Sequence, residues 1–191
     1  IVRAELGAGA VFSGISTRTW LDPLGQLDAS RALSIAHPNA GPYLVSTTAI
    51  AIENTHNFGG GTVQSIDEIS RVTSGAHAMG LATHLDGARI WNAHVASGID
   101  LAEFGKYFDT VSVCFSKGLG APIGSMLLTS SAMAQEARVW RKRYGAGMRQ
   151  VGIIAAAGLY AIENNLQRLA SDHKRAKQLA QICHEVAPQV E

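Results

Sequence analysis

The sequence predicts an α/β fold, a mainly parallel sheet covered by helices on both faces. Short apolar runs at 44–52, 81–86 and 109–115 alternate with segments whose apolar residues recur at helical spacing. Two of those runs lead into residues that carry chemistry, Asp86 and Lys117, as expected at one edge of a parallel sheet. Composition agrees: the 191 residues are 47% apolar and 16% charged, a globular and well-buried balance. A net charge of +1 gives no reason to expect nucleic acid or a membrane as partner. Two cysteines, Cys114 and Cys183, make no spaced framework, which fits a reducing, cytoplasmic setting. The longest apolar run, 151–162, is too short to span a bilayer.

In order along the chain, residues 1–6 read as a helix tail ended by Gly7 and Gly9, and 10–16 as a strand. Asp22-Pro23-Leu24-Gly25 is a turn, Asp28 caps a short helix through Ile35, and 38–42 is loop. A strand over 44–52 leads to Glu53-Asn54-Thr55-His56-Asn57, and Gly59-Gly60-Gly61 demands irregular backbone. Ser65-Ile66-Asp67-Glu68 matches a capping box, and Ile66, Ile69, Val72, Ala76 and Met79 continue that helix to Gly80. Strand 81–86, helix 88–97, short helix 100–106 and strand 109–115 follow. Residues 123–128 form a neighbouring strand, and Ser130 or Ser131 caps a helix through Arg143. Gly145-Ala146-Gly147 breaks it, and one long helix is expected over 148–187. There is no Met at position 1, and both ends read as cuts within a longer protein.

The chemistry starts at Lys117. A lysine closing a buried strand is uncommon unless its amine has a task, and Gly118 and Gly120 keep bulk away from it. Asp86 ends a neighbouring strand. An amine and a carboxylate so placed suit pyridoxal 5'-phosphate, the amine for its aldehyde and the acid for its pyridine nitrogen. A solvated turn lysine and a helix-capping Asp86 are the plainer readings. Arg89 suits a carboxylate or phenolate oxygen, or is a surface arginine. His56 suits proton transfer near neutral pH, or is a structural histidine of a glycine-rich loop. His84, Asp86, His56 and His94 also admit a metal reading, which no H-E-x-x-H helix or cysteine pair supports, and no metal is expected. Lys142 and Arg149 flank the 145–147 turn, suited to a phosphate in the same or a neighbouring subunit.

Four runs together resemble the low-specificity L-threonine aldolases, within the β-eliminating lyase and threonine aldolase group of fold type I. They are Glu53-Asn54-Thr55-His56-Asn57, His84-Leu85-Asp86-Gly87-Ala88-Arg89, Ser116-Lys117-Gly118-Leu119-Gly120-Ala121-Pro122-Ile123-Gly124-Ser125 and Gly147-Met148-Arg149-Gln150. The resemblance implies that Lys117 carries the Schiff base and that Asp86 faces the pyridine nitrogen. It implies further that Arg89 holds the substrate carboxylate or the cofactor phenolate and that His56 lies near the substrate hydroxyl. Lys142 or Arg149 would lie near the phosphate or a subunit contact. Ala146 stands where the family usually has glycine.

The same resemblance makes residues 1–187 part of a cofactor-binding large domain. An N-terminal segment with a Gly-Thr phosphate turn, and a small domain reached through 148–187, would lie outside it. The implied reaction is aldol cleavage of L-threonine or L-allo-threonine to glycine and acetaldehyde, in a homodimer or homotetramer. The rival expectations are another lyase reaction or racemisation on the same scaffold, a non-catalytic binding scaffold, and a metal-dependent hydrolase.

Overall fold

The computed structural model describes residues 4–189, so the start of the helix tail expected over 1–6 lies outside the described residues. Among those described, four strands form one sheet in the order β1 (Ala49–Glu53), β2 (Ala82–Gly87), β3 (Thr110–Cys114), β4 (Ser125–Thr129). β1, β2 and β3 run parallel, and β4 lies antiparallel to β3. The helices are α1 (Ala8–Ser13), α2 (Ala29–Ser34), α3 (Ile66–Ala78), α4 (Ile90–Ser97), α5 (Leu101–Gly105), α6 (Ser131–Arg143), α7 (Gly152–Asn165) and α8 (Leu169–Val186). A mostly parallel mixed sheet flanked by helices is the fold class expected.

Both crossovers, β1–α3–β2 and β2–α4–α5–β3, step the same way along the sheet, so right-handed connections put α3, α4 and α5 on one face. That face carries Ile50, Ile52, Thr83, Leu85 and Val113, buried with Ile69, Val72 and Ala76 of α3, Ile90 of α4 and Phe104 of α5. Ile69, Val72, Leu85 and Phe104 are fully covered, and each such burial stabilises by about 1.5–3 kcal/mol. The alternate positions, Ala51, Glu53, His84, Asp86, Ser112, Cys114 and Leu127, are exposed or half-buried. Their face of the sheet is the polar one.

Several local expectations change. Residues 8–13 are helical, not a strand over 10–16, because Gly14 turns left-handed at φ 63° and its N–H closes on Ala10 O and Gly9 O. The strand expected over 44–52 starts only at Ala49, since β2 begins at Ala82, directly opposite, and reaches back no further than the bond from Ala82 N to Thr48 O. Ser65 precedes α3 without a side-chain cap bond. Its expected partner Glu68 instead accepts from Ala29 N at 2.7 Å, serving the first turn of α2, where Asp28 also accepts from Arg31 N. Ser130, rather than Ser131, caps α6 through Met133 N. The single helix expected over 148–187 is two, α7 and α8, parted at residues 166–168.

Candidate functional site

β3 and β4 are joined by a tight connection at the edge where the parallel strands end, and Lys117 sits in it. Phe115 N–H donates to Gly124 O, Ala121 N–H to Phe115 O and Gly120 N–H to Lys117 O, all within 3.0 Å. Gly120 at φ 73° and Gly124 at φ 132° take backbone that other residues resist. On β2, Asp86 is in register with Ser112 of β3. Side chains alternate faces with period two, so Asp86, Ser112 and Cys114 all project from the polar face. Neighbouring strands about 4.8 Å apart, with about 3.3 Å per residue, set the Cα atoms of Asp86 and Cys114 about 8 Å apart. Gly87 follows Asp86 because a Cβ there would lie 2.8 Å from Ser112 O.

The exposed Lys117 side chain folds back to that face: its Nζ donates to Cys114 Sγ at 3.0 Å. The amine and the Asp86 carboxylate therefore share one surface of the sheet. Asp86 does not cap α4, whose N-cap is Arg89. Its Oδ1 accepts instead from Ala88 N at 3.1 Å, and its backbone oxygen accepts from Asn54 N.

His84 stands two residues before Asp86 on this face, with Nδ1 2.7 Å from Thr110 Oγ1. Burial holds its imidazole below the usual range, against the opposing pull of the Asp86 charge. His56 follows β1, and its Nδ1 accepts from Gly59 N at 3.0 Å. An acceptor Nδ1 means a neutral ring with the proton on Nε2. Gly25 and Gly59 are glycine here for contact reasons: a Cβ on Gly25 would collide with the His56 ring, and one on Gly59 with Leu24 O. Arg89 is half-buried, and no carboxylate among the described residues pairs with its guanidinium. Among the described residues Lys142 Nζ reaches Gly147 O, at 3.4 Å, and Arg149 is exposed. Neither is hydrogen-bonded to Lys117, Asp86 or His56, so the structure puts the amine and the carboxylate on one face of the sheet and ties neither of these two cations to them.

Among the described residues no three His, Cys, Asp or Glu side chains gather as a metal site would need. His94 turns its Nδ1 to Ile99 O instead.

Sequence reasoning missed four contributors. Cys114 was read only as a redox marker, although its alternation with Ser112 puts it on the face of Asp86. Asn54 is fully buried at the end of β1, accepting from Gln64 N, and its Nδ2 has no partner among the described residues. Asn165 and Arg168 donate to the carbonyls of Leu119 and Gly118 at 2.7 and 3.3 Å. The pair Asn164-Asn165, poor helix formers in a strongly helical stretch, was the available signal for that break.

The family model described as beta-eliminating lyase matches residues 1–191. The chain belongs to that family. A low-specificity L-threonine aldolase of Arabidopsis thaliana is 42% identical over 180 residues, 93% of this chain and 50% of the relative. The low specificity L-threonine aldolase of Escherichia coli K12 is 42% identical over 148 residues, 78% of this chain and 44% of the relative. Among solved structures, a proposed L-allo-threonine aldolase of Listeria monocytogenes EGD-E superposes with TM-score 0.79 at 25% identity, covering 96% of this chain and 49% of the other. A Leishmania major threonine aldolase shares the fold, with TM-score 0.83 at 22% identity, covering 96% of this chain and 54% of the other. The chain thus spans about half the length of the relatives it matches.

Proposed function

We propose that this family member is part of a pyridoxal-phosphate-dependent aldehyde-lyase that cleaves L-threonine and L-allo-threonine to glycine and acetaldehyde. The observation that carries the reading is the shared face: an amine at 117 and a carboxylate at 86, on neighbouring strand ends, aimed from one side of the sheet. The donor set fits the cofactor, since a primary amine suits its aldehyde and an anionic carboxylate suits its protonated ring nitrogen. Bound there, the cofactor supplies an electron-accepting ring for the bond broken at the amino-acid Cα.

Each residue then has a task. Lys117 would hold the aldehyde carbon, and Cys114 Sγ, 3.0 Å from its Nζ, keeps the amine turned to this face. Asp86 keeps a proton at the pyridine nitrogen. Arg89, which pairs with no carboxylate among the described residues, is available to grip a substrate carboxylate through its planar fork. His56 stands for the substrate hydroxyl. Its Nδ1 is taken by Gly59 N–H, so Nε2 donates rather than accepts, and in this tautomer the ring orients the substrate hydroxyl by a hydrogen bond rather than taking its proton. Lys142 and Arg149 are assigned to the cofactor phosphate or a neighbouring subunit.

The substrate is a small amino acid, and the working unit is an oligomer of two or four copies. α7 supports that assembly: it is apolar on all sides, yet Ile153, Leu159 and Tyr160 are exposed. Residues 1–187 belong to the large, cofactor-binding domain in this reading, and both free thiols fit a cytoplasmic protein. No described helix is long and apolar enough to cross a membrane.

The test is an absorbance spectrum of the purified protein with pyridoxal phosphate, before and after glycine, followed by borohydride and peptide mapping. A reduced adduct on Lys117, lost in Lys117→Ala together with acetaldehyde release from L-threonine, is expected. Labelling elsewhere, or none, would sink the reading. The family description favours one runner-up, β-elimination on the same residues; ammonia and pyruvate release without acetaldehyde would select it.

A further inference from the structure

The break between α7 and α8 lies against the lysine turn. Asn165 Nδ2 donates to Leu119 O at 2.7 Å, and Arg168 Nη2 donates to Gly118 O at 3.3 Å. These are the two carbonyls directly after Lys117. Beneath them Leu119 and Leu169 are buried, at 0% and 1% exposure. Gly118 packs so closely that a Cβ would sit 2.8 Å from Leu169 Cδ2 and 3.4 Å from Asn92 Oδ1.

The same helix start reaches the other side of the site. Asn92 Nδ2, on the α4 helix that follows Asp86 and Arg89, is 3.0 Å from His173 Nε2 on α8. One short stretch, 165–173, therefore touches both the segment after the amine and the segment after the carboxylate. The geometry points to Asn165 and Arg168 as positioning residues: they fix the Gly118 and Leu119 peptides and so hold the Lys117 amine on the Asp86 face.

The clamp itself is a statement about the turn. Its functional consequence rests on the reading of Lys117 given above, and the experiment separates the two. In the 191-residue chain, Asn165→Ala, Arg168→Met and the double variant are compared with wild type and with Arg168→Lys, which keeps a donor. Melting temperature and circular dichroism establish that each is folded; Arg168 is exposed, so Arg168→Met keeps the test alive if Asn165→Ala does not fold.

The first readout is amide exchange at Gly120 and Ala121, with Ile69 and Val72 of α3 as internal reference. Loss of one hydrogen bond should speed exchange at the turn by about threefold to tenfold and leave α3 unchanged. The second readout is the pH profile of Lys117 labelling, by pyridoxal phosphate with borohydride and separately by formaldehyde with borohydride. Both yields should fall several-fold in the double variant with a shifted pH midpoint, and Arg168→Lys should recover part of the loss. Unchanged exchange at Gly120 and Ala121 would overturn the clamp. Faster exchange with an unchanged Lys117 pH profile would overturn the positioning role. A wild-type chain that takes formaldehyde but not pyridoxal phosphate on Lys117 would defeat the functional reading alone, with the clamp still judged by exchange and methylation.

Discussion

Asp86 commits one carboxylate oxygen to Ala88 N and projects from the same sheet face that Lys117 reaches through Cys114. Asp86→Ala should leave borohydride labelling of Lys117 intact but lower kcat by about two to four powers of ten, roughly 3–5 kcal/mol of barrier. Steady-state acetaldehyde release measures it, and a near-normal rate would remove the acid from its role. His84 makes a separate prediction about pH. Burial depresses its folded pKa below the ordinary value of 6.5, so below that value the unfolded chain binds more protons than the folded one. Stability should therefore fall as pH drops from about 6.5 toward the lowered folded pKa. Urea midpoints at pH 7.5 and pH 5.5 should differ in wild type, and less so in His84→Asn. An equal loss in both would move the cause elsewhere.

At the scale of elements, glycines mark where two segments meet. Gly25→Ala would put a Cβ into the His56 ring and strain a backbone at φ 64°, displacing the imidazole from Gly59 N. A raised KM for L-threonine with the Lys117 adduct unaltered is the expected result, and unchanged kinetics would show that His56 does not meet substrate. Strand ends and most helix limits were legible from periodicity, since β2, β3, α3 and α4 each carry an apolar pattern matched to what covers them. Three of the misreadings share a cause. Whether 44–48 pairs is decided by where β2 begins, whether Glu68 returns to Ser65 by the presence of Ala29 N, and whether 148–187 runs unbroken by carbonyls 46 or more residues away. Apart from the Asn164-Asn165 pair, local sequence carries none of that. In the site, Lys117 and Asp86 were readable because strand ends converge, whereas the tautomer of His56 depends on a Gly59 amide that only the folded loop supplies.

For the molecule as a whole, the sheet packs one face against α3, α4 and α5 and leaves apolar surface elsewhere. Met126, Leu127 and Leu128 of β4, and Ile153 and Tyr160 of α7, stand between 45% and 87% exposed. If like copies cover that surface, burial is completed only on association, and unfolding releases separate chains. The melting temperature should then climb with protein concentration, by mass action. Calorimetry across a hundredfold dilution series would see it, and a midpoint indifferent to dilution would mean that those side chains stay wet. Stability in such a protein is a property of the population, not of the single molecule.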